Sequence, residues 1–328
     1  MSAPSGEIEL RSGGVPPQQG VAFLIGAERS GTTLLRLMLD AHPGLAFRNE
    51  FEFVVDLVGD DGSWPELGRY YEHLRLTRTF LMSGFEIDRS LDYPSLVRGF
   101  LEQKRARDGK PRVGATVHRH FGRILHLWPD AGFIHIVRDG RDVARSRVRE
   151  GWAGNAWDGA HEWVRVEEQI ERLEREVGAG RMIHVRYESL VADAPAELTR
   201  ICAFMGLEYA PAMLEFDRGS TYEKPDARAS QRWKTKASPR EVALIESVQG
   251  EMLARRGYEL SGYRAVRPGP VGQRWLRLHS RAVCAGFRLK RYGPRVWIAE
   301  MVARRLGLKG MAGRVQLRIN EIQRRHLK

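Results

Sequence analysis

Cysteine is nearly absent: Cys202 and Cys284 are the two thiols in 328 residues. Two thiols make neither a disulfide framework nor a cysteine-based zinc site, and a reducing compartment is the expectation. No run of about 18 uncharged apolar residues occurs, which excludes a spanning helix. The opening MSAPSGEIELRSGG lacks the apolar core of a secretory signal. A cytoplasmic location is therefore expected. Acidic residues are missing from one region in particular. Residues 264–328 hold seventeen Lys/Arg against Glu300 and Glu321, a balance of +15, while residues 1–263 hold 36 basic against 39 acidic residues. A near-neutral body thus carries a basic extension, which is expected to meet an anionic surface such as the inner face of a membrane.

The composition, 42% apolar and 29% charged, belongs to a globular protein with a sizeable core. Residues 1–20, rich in Gly, Pro, Ser and Gln, read as a disordered lead-in. Short apolar runs at Val21–Ile25, Phe133–Val137 and Met182–Val185 read as buried strands. Helices are expected at Thr32–Leu39, Val143–Arg149, Trp163–Val177, 195–205 and 239–256, and Arg267–Gly272 reads as a linker. Strands alternating with helices predict an α/β fold, a P-loop-like parallel sheet flanked by helices over 21–263, with a basic helical C-terminal extension over 264–328.

After the first run the chain reads Gly26-Ala-Glu-Arg-Ser-Gly-Thr-Thr. A strand passing through a small-residue turn into a helix N-terminus presents backbone N–H groups to an anion. The spacing nearly matches the nucleotide loop G-x-x-x-x-G-K-[ST], but Thr32 stands where the lysine belongs. That lysine neutralises a triphosphate, so ATP or GTP hydrolysis is disfavoured. Arg29 supplies a planar, always-charged donor instead. Arg138 follows a second strand, where open α/β sheets place ligands, and Ser146 lies eight residues on.

Residues 29–43, RSGTTLLRLMLDAHP, resemble the 5′-phosphosulfate loop of sulfotransferases that use 3′-phosphoadenosine 5′-phosphosulfate (PAPS), in particular the protein-tyrosine sulfotransferase branch and its bacterial relatives. IVRDGRDVARS (136–146) resembles the family's 3′-phosphate motif, and Arg186-Tyr-Glu-Ser-Leu190 its recurring strand-end motif. The resemblance implies the sulfotransferase fold over about 21–263 and sulfonate transfer from PAPS to an acceptor hydroxyl, without a metal. It implies donor binding by Arg29, Ser30, Gly31, Thr32 and Thr33 at one end and by Arg138 and Ser146 at the other. Gln231-Arg-Trp-Lys234 resembles the late segment that closes over the nucleotide, so Trp233 and Lys234 join the expected donor site, with Tyr187. Tyr187 and Glu188 have a structural reading as well.

Two residues compete as the base. Glu50 lies 21 residues after Arg29, an offset resembling that of the catalytic glutamate in tyrosine-directed relatives, and apolar neighbours would raise its pKa. Extended backbone would put Glu52 on the same face. Glu52 occupies a place where those relatives carry arginine, which speaks against an acidic peptide acceptor. His118, in Thr116-Val-His118, resembles the base of small-molecule sulfotransferases, but Thr116 replaces their lysine, with Arg112 and Arg119 as substitutes. Arg29 is expected to neutralise the departing phosphate, and Arg141 and Arg145 offer alternative cations or salt-bridged partners of Asp139 and Asp142. His120, His126 and His135 show no ligand spacing. Trp152 and Trp157 suggest a platform for a sugar, and Trp64 with Tyr70-Tyr71 a lid or acceptor wall. A glycan, glycolipid or other small hydroxylated acceptor is the expectation. A P-loop kinase or NTPase, and an inactive nucleotide-binding module held at a membrane, are the alternatives. The extension, in the stretches Trp275–Arg291, Tyr292–Arg305 and Arg314–Lys328, places Trp275, Leu278, Ala282 and Val283 beside Arg274, Arg277, Arg281 and Arg288. It fits anionic lipid, its own body or the second subunit of a homodimer, and nucleic acid is disfavoured for want of a reader motif.

Overall fold

A computed structural model describes residues 20–216 and 230–326. Five strands form one parallel sheet in the order β2-β3-β1-β4-β5: β1 Ala22–Ile25, β2 Leu45–Arg48, β3 Arg112–Val117, β4 Gly132–Val137 and β5 Met182–Arg186. β1 is apolar throughout because helices cover both of its faces. Its side chains alternate between two cores. Phe23 and Ile25 meet Phe51, Phe53, Phe100, Phe133 and Trp163 on one side, while Leu24 meets Leu35, Met38, Ile134, Ile136 and Ile201 on the other.

The helices of the body are α1 Thr32–Asp40, α2 Leu67–Leu76, α3 Arg78–Leu81, α4 Tyr93–Asp108, α5 Ile124–Leu127, α6 Gly140–Arg149, α7 Ala156–Val177, α8 Tyr187–Ala192, α9 Ala194–Phe204, α10 Trp233–Lys236 and α11 Pro239–Arg255. Their starts follow local chemistry. Asp139 Oδ1 accepts from the Arg141 N–H to cap α6, and Asn155 Oδ1 accepts from the Asp158 N–H to cap α7. The extension forms α12 Pro270–Tyr292, α13 Pro294–Arg305 and α14 Lys309–His326.

The predicted strands and helices are present within about three residues, except that α7 begins at Ala156, seven residues before the expected Trp163. β2, β3, α4 and the shorter helices α2, α3, α5, α8 and α10 were not foreseen; β2 ends in arginine and β3 is diluted by small residues. The expected linker is shorter than its sequence, because α12 already begins at Pro270, a favoured first helical position. The reading of residues 1–20 lies outside the described residues except at Gly20.

The register makes the site. Ile25 pairs with Val117 on one side and His135 on the other, and Val137 pairs with Arg186. The C-terminal ends of β3, β1, β4 and β5 therefore release His118, the 26–31 turn, Arg138 and Tyr187 along one edge of the sheet. In open parallel sheets this edge is where ligands bind.

Candidate active site

The turn after β1 requires its glycines. A Cβ on Gly26 would lie 2.5 Å from the Ile136 carbonyl oxygen, and one on Gly31 would lie 2.4 Å from the Tyr187 ring. Gly31 also has φ 99° and Arg29 φ 74°, both left-handed. This strained path delivers the chain to the N-terminus of α1, where Gly31 caps without a side-chain hydrogen bond. The first N–H groups of α1 are thus left to a ligand. Ser30 Oγ is fully buried at the turn and has no hydrogen-bond partner. An orphaned hydroxyl beside an uncapped helix start fits a bound anion oxygen.

His118 carries the acid–base geometry. Its backbone N–H and its Nδ1–H both donate to Glu52 Oε1, at 3.0 and 2.7 Å. A carboxylate on Nδ1 fixes the tautomer that leaves Nε2 as an acceptor, and the Thr32 hydroxyl donates to it at 3.1 Å. His118 and the 26–31 turn are thereby one network. Burial pulls the His118 pKa down, but the hydrogen bond and charge of Glu52 more than offset it, and the imidazole lies above its usual value. For Glu52 burial pushes upward, and the hydrogen bond and charge of His118 bring it below the ordinary carboxylate range. Glu52 was foreseen only as a neighbour of Glu50. Its role as the partner of His118 was missed, because the two are far apart in sequence and nothing local couples them.

Glu50 sits differently from its expectation. It is 44% exposed and paired with Arg78 Nη2 at 3.1 Å, not enclosed by apolar groups. Nor does it share a face with Glu52, because Glu52–Val54 is a 3₁₀ turn that rotates Glu52 inward. Thr116 is buried in β3. Arg112 begins that strand, about 16 Å from its C-terminal end, so it does not replace the missing lysine. Arg119 forms a two-point pair with Asp56 at 2.7 and 2.8 Å.

Arg29 bridges the turn to α6. Its Nε donates to Ser146 Oγ at 3.1 Å, its Nη2 lies 3.2 Å from Glu150, and its guanidinium stands 5.8 Å from the Trp152 ring centre. Ser146 Oγ also accepts from Arg149 at 3.2 Å. Arg138 packs over Tyr187 at 4.2 Å, and its Nη1 donates to the Arg29 carbonyl at 3.4 Å. Ser30, Gly31, Thr32, Thr33, Arg138, Ser146 and Tyr187 therefore surround Arg29 at one sheet edge. Arg149, Glu150 and Trp152 were not foreseen there.

Trp233 is one carboxylate removed from this cluster: Asp142, which accepts from its backbone N–H, also lies 3.8 Å from Arg138 Nη2. The buried indole donates to Asp139 Oδ2 at 2.8 Å, its backbone N–H donates to Asp142 Oδ1 at 2.8 Å, and Arg141 lies 3.7 Å over the ring. Arg141 is 2% exposed between Asp139 and Glu246. Lys234 lines a cleft of about 410 Å³ with Arg186, Tyr258 and Tyr263, a wall that includes neither Arg29 nor Arg138. Trp233 thus serves as an anchor of α6. Asp139→Ala would leave Arg141 half-paired and the indole N–H without an acceptor. We expect a loss of about 3–5 kcal/mol, read as a lower urea midpoint; an unchanged midpoint would show that Glu246 alone satisfies the guanidinium.

The paired-tryptophan platform is not formed. Trp157 is buried and Trp152 is exposed. Tyr70 is likewise a core residue, so the expected lid reduces to Trp64, stacked on Tyr93 at 5.5 Å, and the partly covered Tyr71. His135 is buried between His184 and Glu167. Glu188 accepts from the Asp139 N–H and the Tyr258 hydroxyl, a structural placement.

A family model described as the Sulfotransferase family matches residues 22–211. The chain belongs to this family. It is 26% identical over 211 residues to protein-tyrosine sulfotransferase 2 of Gallus gallus, covering 60% of this chain and 53% of that protein. It is 26% identical over 265 residues to protein-tyrosine sulfotransferase 1 of Danio rerio, covering 72% of each. The chain thus spans about half the length of the first of these relatives. Among solved structures, the sulfotransferase domain of the Synechococcus PCC 7002 olefin synthase superposes with a TM-score of 0.53 at 23% identity, over 78% of this chain and all of that one. The parallel sheet with flanking helices is the sulfotransferase fold.

Proposed function

We propose that the protein transfers the sulfonate of PAPS to an acceptor hydroxyl, with His118 as the general base. The observation that carries this reading is the Thr32–His118 hydrogen bond, which joins an uncapped turn to a partly covered imidazole backed by Glu52. Bound PAPS supplies an activated sulfonate on a phosphate that can depart. The 26–31 turn and the start of α1 would hold the 5′ end, with Ser30 Oγ giving its unused hydroxyl. Arg138, stacked on Tyr187, would grip the 3′-phosphate with Ser146. Arg29, lying between these two regions, would neutralise charge on the departing side.

The Thr32 hydroxyl can donate one hydrogen bond. It would point to His118 Nε2 when the turn holds no anion, and to the anion when one is present. That switch of hydrogen bond would free Nε2 to take the acceptor's proton, while Glu52 keeps the Nδ1–H and counters the imidazolium. Glu50, exposed and engaged by Arg78, is the rival base.

For the acceptor, a glycan or glycolipid hydroxyl suits the exposed Trp152 face beside Arg29, since indoles pack against apolar sugar faces. The tyrosine of a peptide is the second reading, favoured by the relatives. Glu52 weakens it: the tyrosine-directed enzymes that the chain resembles carry arginine there, and here a buried carboxylate faces inward.

Adenosine 3′,5′-bisphosphate at about 100 times its Kd should stabilise the protein by about 2.7 kcal/mol. We expect a clear rise in melting temperature, and Arg138→Ala should remove most of it. ATP–Mg²⁺ stabilising more strongly than the bisphosphate would instead indicate an NTPase. Turnover with PAPS against sugars, glycolipids and tyrosine peptides then separates the acceptors; bisphosphate binding with no turnover on any of them would favour an inactive module.

A further inference from the structure

α12 is docked on the body by the side that carries Leu276, Ser280, Cys284 and Phe287, all at least partly covered. Ser280, its buried residue, accepts from the Gly154 N–H at 2.7 Å and donates to Asp158 Oδ2 at 2.7 Å, and Asn155 Nδ2 donates to the Leu276 carbonyl at 2.7 Å. Phe287 closes the same side over Gly151, where a Cβ would lie 2.3 Å from its ring. At 100° per residue, Val271, Trp275, Leu278, Ala282 and Leu289 fall on the opposite side. Val271, Trp275 and Leu278 are 84%, 61% and 54% exposed. The body thus covers one apolar side of this helix and leaves a second apolar stripe facing outward.

The stripe is flanked by Arg274, Arg281 and Arg288 along one side and Lys290 on the other. Exposed apolar residues continue along α13 at Ile298 and Met301. Of the sixteen most exposed large apolar side chains among the described residues, ten lie between Val271 and Leu317. α14 returns to the body, where Asn320 Nδ2 donates to the Leu76 carbonyl at 2.9 Å and Val315 and Ile319 are buried. The extension is thus anchored at both ends, by α12 next to the Gly151–Trp152 turn beside Arg29 and by α14 near the α2 end that leads to Arg78 and Glu50.

We propose that the outer face of α12 and α13 is a docking surface for an anionic lipid bilayer. Charge selects this occupant. A second copy joined through the same face would set a +15 extension against its like. A bilayer of acidic lipid supplies the opposite charge and an apolar layer for Trp275, Leu278 and Val271 at once. The proposal does not depend on the reaction, since lipid binding is measured without turnover.

The test is flotation of the full chain with vesicles of phosphatidylglycerol and phosphatidylcholine mixed equally, against phosphatidylcholine alone. Binding is expected to the acidic vesicles, with at least about tenfold weaker partitioning for the doubly substituted Trp275→Ser, Leu278→Ser chain. Each of Arg274→Glu and Arg281→Glu should weaken it about fivefold or more. All four positions are exposed, so the variants should keep the parent melting temperature, and this is checked in parallel. No flotation of the parent, or flotation indifferent to the Ser pair, overturns the proposal. A light-scattering mass of two chains that falls to one in the Ser pair also overturns it, in favour of a dimer. Vesicle binding displaced by an oligonucleotide that binds more tightly assigns the face to nucleic acid.

Discussion

His118→Ala should slow sulfonate transfer by about 10²–10⁴-fold, the usual worth of a positioned general base, while the affinity for adenosine 3′,5′-bisphosphate stays within about threefold of the parent. The affinity is spared because the anion turn is built by Gly26, Ser30, Gly31 and the start of α1, with His118 touching it only through Thr32. The pH profile carries the finer test. The base must be neutral to accept a proton, and Glu52 holds the His118 pKa above 6.5. The rate of the parent should therefore rise with pH through a pKa on the alkaline side of that value. Glu52→Gln keeps the shape but removes the charge. Burial, which lowers an imidazole pKa, is then opposed only by the weaker pull of the Glu28 and Glu50 charges, and the rising limb should move to lower pH. The plateau should also fall, because the imidazolium loses its counterion. A Glu52 variant with a lower rate but an unmoved limb would make Glu52 a packing residue. Glu50→Gln should cost less than about tenfold. If it costs a hundredfold and His118→Ala does not, the base is Glu50 and Arg78 is the residue that positions it.

The anion turn and the Arg138 segment were legible because each is one short run whose meaning is local. A strand, a glycine-bearing turn and a hydroxyl-rich helix start need no distant residue to define an anion site. The same holds for strands such as Phe133–Val137, apolar throughout because both faces are covered. The His118–Glu52 pair was not legible, since it depends on β3 ending beside a 3₁₀ turn that sequence spacing does not disclose. The surroundings of Glu50 differ from those expected for a related reason: its apolar neighbours in sequence became core residues, and α3 brought up Arg78. Trp157, Tyr70 and Trp233 show that an aromatic run does not say which rings face solvent. The extension was read correctly as helical and amphipathic, but which of its sides meets the body depends on Ser280 and Asn155, whose pairing is again long-range.

Gly31→Ala tests whether the two anion grips are one device. At φ 99° an alanine pays left-handed strain, and its Cβ would lie 2.4 Å from Tyr187 Cδ2 and 2.8 Å from Cε2. The ring cannot move freely, because Arg138 packs over it at 4.2 Å. Strain of about 1–3 kcal/mol plus the clash should lower stability by about 3 kcal/mol or more, read as the urea midpoint. Displacing Tyr187 should also shift Arg138, so bisphosphate affinity should fall by more than about tenfold, beyond what a distorted turn alone would cost. Tyr187→Ala added to Gly31→Ala separates the contributions. Removing the ring relieves the clash but leaves the left-handed strain and takes away the support of Arg138. Stability should recover in part while affinity stays low. Full recovery of affinity in the double variant would mean that Tyr187 serves only to fill space. Undiminished affinity in Gly31→Ala would mean that the anion does not use the left-handed turn, and the donor site would then have to be sought elsewhere along the sheet edge.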